Sequence, residues 1–454
     1  MIHKYYMNGY YIVLDVNSGC VHVVDKLVYD LLDHLPNGPQ GDLSEDVFEA
    51  MKEYPREEVE SAYQDICQLT QNGQLFSSDD YEELAKSIQK VAPVKALCLH
   101  VAHDCNLRCE YCFASTGEYN SHKRSLMSLE VGKKAIDMVI RESANRRNIE
   151  IDFFGGEPLM NFDVVKQLVL YAREQEKIHD KHFRFTITTN GMLLTDDKID
   201  FINEHMDNIV LSLDGRREVN DRMRKTVTGA GCYDIVLPKF KKVAESRHQD
   251  RYYIRGTFTR YNLDFCDDVL HFVDEGFEQI SVEPVATDPS MPYAIQPEDL
   301  PKVFAEYEKL AVKLLEKRKE GHFFNFFHFM IDLSQGPCVI KRLHGCGCGN
   351  EYLAVTPEGD IYPCHQFVGM ENFKMGNVFD GKLDMDIKTS FACTNVYTKP
   401  ECKKCWAKFY CSGGCNANSY QYAGDIHLPY TIGCEMEKKR VECAIMMKAA
   451  QADA

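Results

Sequence analysis

Over residues 95–320 the apolar positions fall in short runs separated by longer stretches of helical period. The runs lie at 96–101, 149–154, 183–189, 208–213, 252–259 and 279–283. Each is bounded by turn formers, so each reads as a strand. Between the first two, Val131, Ala135, Met138 and Val139 stand at i, i+4, i+7 and i+8, the stripe of a helix with one face in a core. Strand–helix alternation over six units predicts an α/β fold with a parallel sheet under outer helices, closed into a partial barrel. In such a barrel the reactive mouth lies where strands end and loops begin.

The first stretch has a different pattern. Residues 11–14 and 21–24 read as strands joined by a turn at Asn17-Ser18-Gly19. Helical patterns follow at 26–34, 44–52 and 56–70, with Ser44 placed to cap the second and Asn72-Gly73 ending the third. Residues 74–76 read as a last short strand, and 77–93 as a linker. This order suits a winged-helix module. At the other end of the barrel, residues 322–329 form a dense aromatic run (HFFNFFHF), which reads as a buried helix bridging to the tail. The expected domains are 1–90, 91–320 and 321–454.

A chain of 454 residues exceeds one ordinary core. It has no apolar run long enough to span a bilayer and no signal peptide, so a cytoplasmic protein without a membrane partner is expected. The net charge of −17 argues against nucleic acid. Residues 1–90 hold 17 acidic and 6 basic side chains, so a winged helix there would repel phosphates. Nineteen cysteines in a reducing compartment read as metal or cluster ligands rather than disulfides.

Three of them stand in the run CNLRCEYCF, at Cys105, Cys109 and Cys112, just after the first barrel strand. Three thiolates on one tight loop hold three corners of an iron–sulfur cubane and leave one iron open to react. A zinc loop would want a fourth side chain close by. Three unrelated buried thiols are the remaining reading.

This CxxxCxxC run, with Tyr111 before its last cysteine, resembles the signature of the radical S-adenosylmethionine enzymes. Later motifs fit the same family in order. Phe154-Gly155-Gly156-Glu157-Pro158 ends the second strand and looks like its GGEP segment. Thr189-Asn190-Gly191 ends the third, and Ser212-Leu213-Asp214-Gly215 the fourth. Asn220-Asp221-Arg222-Met223-Arg224 matches a pattern that usually starts with His. The resemblance implies a partial (β/α)6 TIM-type barrel and S-adenosylmethionine on the open iron. It also implies cofactor-binding roles for Tyr111, Gly155, Gly156, Glu157, Asn190, Ser212 and Arg224. Singly, GGEP is also a turn, SLDG a strand end and Arg224 a surface charge. Glu283, ending the sixth strand, reads equally as a substrate contact or as half of a structural ion pair.

The tail carries Cys346, Cys364, Cys402, Cys405, Cys411, Cys415 and Cys434. It resembles the SPASM domain, which implies two auxiliary 4Fe-4S clusters and three in all. By that resemblance Cys402, Cys405, Cys411 and Cys434 hold the distal cluster, and Cys346, Cys364 and Cys415 the nearer one. CxxC followed by CxxxC also suits zinc. The fourth ligand of the nearer cluster is open between Cys338, Cys348 and a substrate thiolate. Cys20, Cys67, Cys98, Cys232, Cys266, Cys393 and Cys443 read as plain buried residues.

The N-terminal module resembles the leader-recognition elements of enzymes that modify ribosomally made peptides, where a leader adds as a strand to a sheet edge. It reads alternatively as a packing domain alone. The whole chain is most similar to the SCIFF (six cysteines in forty-five residues) maturases. That implies a Cys sulfur to α-carbon thioether in a cysteine-rich precursor peptide, and an external low-potential electron donor of flavodoxin or ferredoxin type. Two other readings stand beside it. One is an anaerobic sulfatase (formylglycine) maturase, whose general base is an Asp where this chain has His365. The other is a non-catalytic iron–sulfur or zinc peptide-binding protein.

Overall fold

The computed structural model describes residues 1–88, 91–119, 123–333 and 339–452; Cys338 lies outside the described residues. Among the described residues fourteen strands form two sheets. The first is an antiparallel ribbon of β1 (Ile2–Met7), β2 (Tyr10–Asp15) and β3 (Val21–Val24), in that order. The second runs through β4 (Ala96–His103), β6 (Asn148–Gly155), β7 (His182–Thr189), β8 (Asn208–Ser212), β9 (Tyr252–Phe258) and β10 (Gln279–Pro284). These six lie side by side in chain order and all parallel, with the two-residue β5 (Ser125–Leu126) against β4. This is the expected partial barrel. Its outer face is apolar: Ile149, Ile151 and Phe153 of β6 are fully buried under helices Leu129–Glu142 and Phe162–His179. Ser128 caps the first of these, accepting from Val131 N at 3.2 Å.

Both edges of the barrel are extended by segments that looked otherwise in sequence. The aromatic run is not a helix. Asn325–Phe326 is β11, parallel to β10, followed by a 3₁₀ turn at Phe327–Phe329. Phe324 and Phe326 are buried while Phe323 and Phe327 are exposed, the period of two that an extended chain imposes. At the opposite edge β12 (Tyr352–Val355) lies parallel to β4 and turns back through β13 (Asp360–Tyr362) and β14 (Gly376–Asn377). The cysteine-rich region is thus part of the barrel's own sheet. The chain closes with helix Thr431–Ala452, packed on helix Leu300–Lys319.

The N-terminal module is bound tightly to this body. Tyr5, Met7, Ile12 and Leu14 on one face of its sheet join the barrel core, while Val13 faces its own helices through Leu27 and Leu31. His3 stacks on Trp406 at 3.7 Å, and Tyr5 Oη donates to the Glu442 carbonyl at 2.8 Å. Three expectations fail here. Residues 74–76 pair with no strand, because Phe76 takes a positive φ of 53°. The stretch 77–93 contains helix Tyr81–Ile88, pinned by Lys403 on Glu82 at 2.8 Å. Ser44 precedes its helix without giving it a side-chain cap bond. Among the described residues no helix is long and apolar enough to cross a membrane.

Candidate active site

A cavity of about 750 Å³ fills the barrel mouth between the strand ends and the cysteine-rich region. All ten residues singled out for the first cluster and its S-adenosylmethionine line it. The loop after β4 carries Cys105, Cys109 and Cys112 into the cavity wall. It is held from behind by β6: Gly156 N donates to the Ala102 carbonyl at 2.7 Å and Glu157 N to that of Asp104 at 2.9 Å. The two glycines serve this contact. A Cβ on Gly155 would stand 2.2 Å from the Ala102 oxygen, and one on Gly156 would stand 2.1 Å from that of Asp104. The missing side chains thus let backbone approach backbone closely.

Glu157 is fully buried at the cavity wall. It accepts from Leu159 N at 3.0 Å, Thr189 Oγ1 at 2.8 Å and Asn190 N at 2.8 Å, clamping the β6 and β7 ends together. Burial pushes its carboxyl up to about 7 against the pull of these donors. The clamp places Asn190, whose Nδ2 lies 3.6 Å from Cys105 Sγ.

Arg224 and Tyr111 converge on Asp214, which the sequence placed in the SLDG segment without a role of its own. Tyr111 Oη donates to its two oxygens at 2.8 and 2.6 Å, and Arg224 Nη2 to one at 3.0 Å. Arg224 Nε is buried and unpartnered among the described residues, a donor that a ligand carboxylate complements. Asn220, where the family pattern has His, is buried and holds the Asp214 N–H at 3.4 Å. Glu283 fits both of its readings: it pairs with Arg255 and lines the cavity. Behind it, Arg440 Nη1 lies 3.2 Å from His328 Nδ1, and His328 Nε2 lies 3.1 Å from Ser281 Oγ. Arg255, His328 and Arg440 come from three separate elements, and no sequence motif links them.

The tail thiols form two groups. Cys402, Cys405, Cys411 and Cys434 are mutual electrostatic neighbours. In the other group Cys346, Cys364 and Cys415 are joined by Cys348, which shares a hydrogen bond with Cys364. Gly345, Gly347 and Gly349 all have positive φ, so the GCGCG loop winds both of its cysteines into this group. Among the described residues no three acidic, His or Cys side chains converge tightly enough to hold a single metal ion. Two sets of four thiols on a wider spacing suit four-cysteine clusters. Every described cysteine is a free thiol. Of those read as plain and buried, Cys20, Cys67 and Cys393 are only half-buried, and Cys98 lines the cavity.

Known proteins resemble this chain in sequence segments and in fold. Residues 99–254 match the radical SAM superfamily, and residues 346–406 match the SPASM iron–sulfur cluster-binding domain. The cysteine-type anaerobic sulfatase-maturating enzyme of Clostridium novyi (strain NT) is 24% identical over 337 residues, 69% of this chain and 86% of that one. The solved structure of native anSMEcpe with bound AdoMet superposes with a TM-score of 0.63 at 22% identity, covering 80% of this chain and 100% of that one. Streptococcus suis SuiB bound to precursor peptide SuiA gives 0.54 at 17%, covering 92% and 95%. At these identities the structural likenesses establish the fold.

Proposed function

Starting from a chain that is a radical S-adenosylmethionine enzyme with a SPASM region, we propose that it oxidatively modifies a cysteine in a ribosomally made precursor peptide whose leader pairs with β3. The observation that carries this reading is one of the two unpaired edges of the N-terminal sheet. β3 pairs with β2 alone among the described residues, and Val23 on it is 49% exposed. A peptide strand can add there, and the module's firm seat on the body keeps that strand at a fixed distance from the cavity. SuiB, which binds a precursor peptide, matches nearly the whole chain, whereas anSMEcpe leaves a fifth of it uncovered.

Cys105, Cys109 and Cys112 would hold the cluster that binds S-adenosylmethionine. Arg224 and the backbone of the Gly155-Gly156 turn would position that molecule, with Ser212 and Asn190 beside it. When bound, this pair supplies a carbon radical able to take a hydrogen atom from an unactivated C–H bond. The residues around it exclude water and orient the peptide. The two tail quartets would hold two auxiliary clusters, with Cys348 completing the nearer one in place of a substrate thiolate. A low-potential donor protein would supply electrons. The preferred product is a thioether between a cysteine sulfur and an α-carbon.

A second reading, sulfatase maturation, is favoured by the sequence relatives, several of which carry that name. One experiment separates the two. Clustered, reduced enzyme is given S-adenosylmethionine and a cysteine-rich peptide with or without its leader. A loss of two hydrogens that requires the leader supports thioether formation. Loss of two hydrogens together with exchange of the cysteine sulfur for oxygen, without any leader, supports sulfatase maturation.

A further inference from the structure

We propose that Asp152 is the residue that accepts the proton of the peptide cysteine thiol; this rests on the function proposed above. In the step the S–H bond breaks, its electron pair stays on sulfur, and the proton moves to a carboxylate oxygen of Asp152. Both candidate products require this loss, so the assignment does not depend on which of them forms.

Asp152 lies on β6, three residues before the Gly155 that backs the cysteine loop, or roughly 10 Å down the strand. Strand alternation sends Ile151 and Phe153 to the covered outer face and Asp152 into the cavity. Its register partners are Cys98 on β4 and Thr186 on β7, and both line the same cavity. Asp152 accepts no hydrogen bond among the described residues. Glu283, in the same cavity, is by contrast tied to Arg255. Among the described residues no cation offsets its charge either: burial is the main effect on it, and the charge of Glu150, on its own strand, adds to it. The other titratable groups facing it are Cys98 and Tyr352. A half-buried carboxyl that faces the cavity with neither donor nor counterion contributes nothing to the fold and costs desolvation. Such groups concentrate at reaction sites. Burial lifts its carboxyl to about 7, toward the range of a thiol, where proton transfer is nearly balanced.

His365 is the competing acceptor, and it too lines the cavity, 3.5 Å from Tyr352 Oη through Nδ1. The test compares clustered wild-type enzyme with D152N, D152E and H365Q on synthetic cysteine-bearing peptides across pH. Both the peptide product and 5′-deoxyadenosine are measured. The expected result is a loss of peptide product of about 100-fold or more in D152N. Release of 5′-deoxyadenosine continues, D152E recovers product, and the acid limb of the wild-type rate profile disappears in D152N. A second readout is independent of turnover: the protonated-carboxyl infrared absorption at pH 6, which Glu157 shares, loses the part due to Asp152 in D152N. Product from D152N within threefold of wild type, or an absorption at pH 6 equal to that of wild type, overturns the assignment. A wild-type enzyme that cleaves S-adenosylmethionine but leaves every cysteine peptide unchanged would overturn the underlying function, and the assignment with it.

Discussion

Arg224 donates through Nη2 to the Asp214 carboxylate at 3.0 Å, with the arginine side chain 11% exposed and the aspartate 1%. Tyr111 donates to the same carboxylate from the cysteine loop, and Thr257 N from the end of β9 at 3.0 Å. One carboxylate therefore joins the cluster loop, two strand ends and the arginine that faces the ligand.

Replacing Asp214 by Asn keeps the shape and removes the charge. Arg224 is then left buried without its counterion, a change that costs about 3–5 kcal/mol. The D214N variant is expected to show that loss in denaturant titration and to bind S-adenosylmethionine more weakly. Unchanged stability would mean that Arg224 has another partner.

The Gly156→Ala substitution tests the seat of the cysteine loop. The added methyl meets backbone that cannot turn aside, the Asp104 oxygen at 2.1 Å. A loss of about 2–4 kcal/mol is expected, and anaerobic reconstitution should deliver less iron per chain. Wild-type iron content in G156A would show that the loop holds its cluster without support from β6.

Cys348→Ala should lower iron content and alter the spectrum of the nearer auxiliary cluster. Cys266→Ala, at a buried thiol outside both quartets, should change neither. A C348A protein with unaltered iron and spectrum would return the fourth position to a substrate thiolate.

These predictions draw unequally on what the chain displays in sequence. The barrel strands were legible because each is a short apolar run set between stretches of helical period, and β3 falls on 21–24 as expected. The site motifs were legible because each closes a strand, and parallel strands in order bring their ends to one mouth. The aromatic run hid its strand because phenylalanines occupy both faces: burial alternates, but hydrophobicity does not. β12 was hidden because its partner β4 lies far back in the chain. Asp214 looked like a strand end because its role exists only through Arg224 and Tyr111. Asp152 looked like the polar side of an ordinary strand, and only barrel closure makes that side the interior.

Asp152 also sets a pH dependence of stability. Its folded-state value of about 7 lies above the unfolded value of 3.8. The folded protein therefore keeps this proton where the unfolded chain has lost it. The contribution of Asp152 to stability falls as pH rises from about 4 to 7, and the full penalty stands above 7. The difference between D152N and wild type in denaturation midpoint should thus grow in favour of D152N from pH 5 to pH 8. A difference independent of pH would place Asp152 in water with an ordinary carboxyl.

The central claim is that the Cys105, Cys109 and Cys112 loop supports radical cleavage of S-adenosylmethionine. Reconstituted, reduced protein incubated anaerobically with S-adenosylmethionine is predicted to release 5′-deoxyadenosine, and the triple alanine variant of these cysteines to release none. Release of equal amounts by both proteins, or by neither at confirmed iron content, would contradict it.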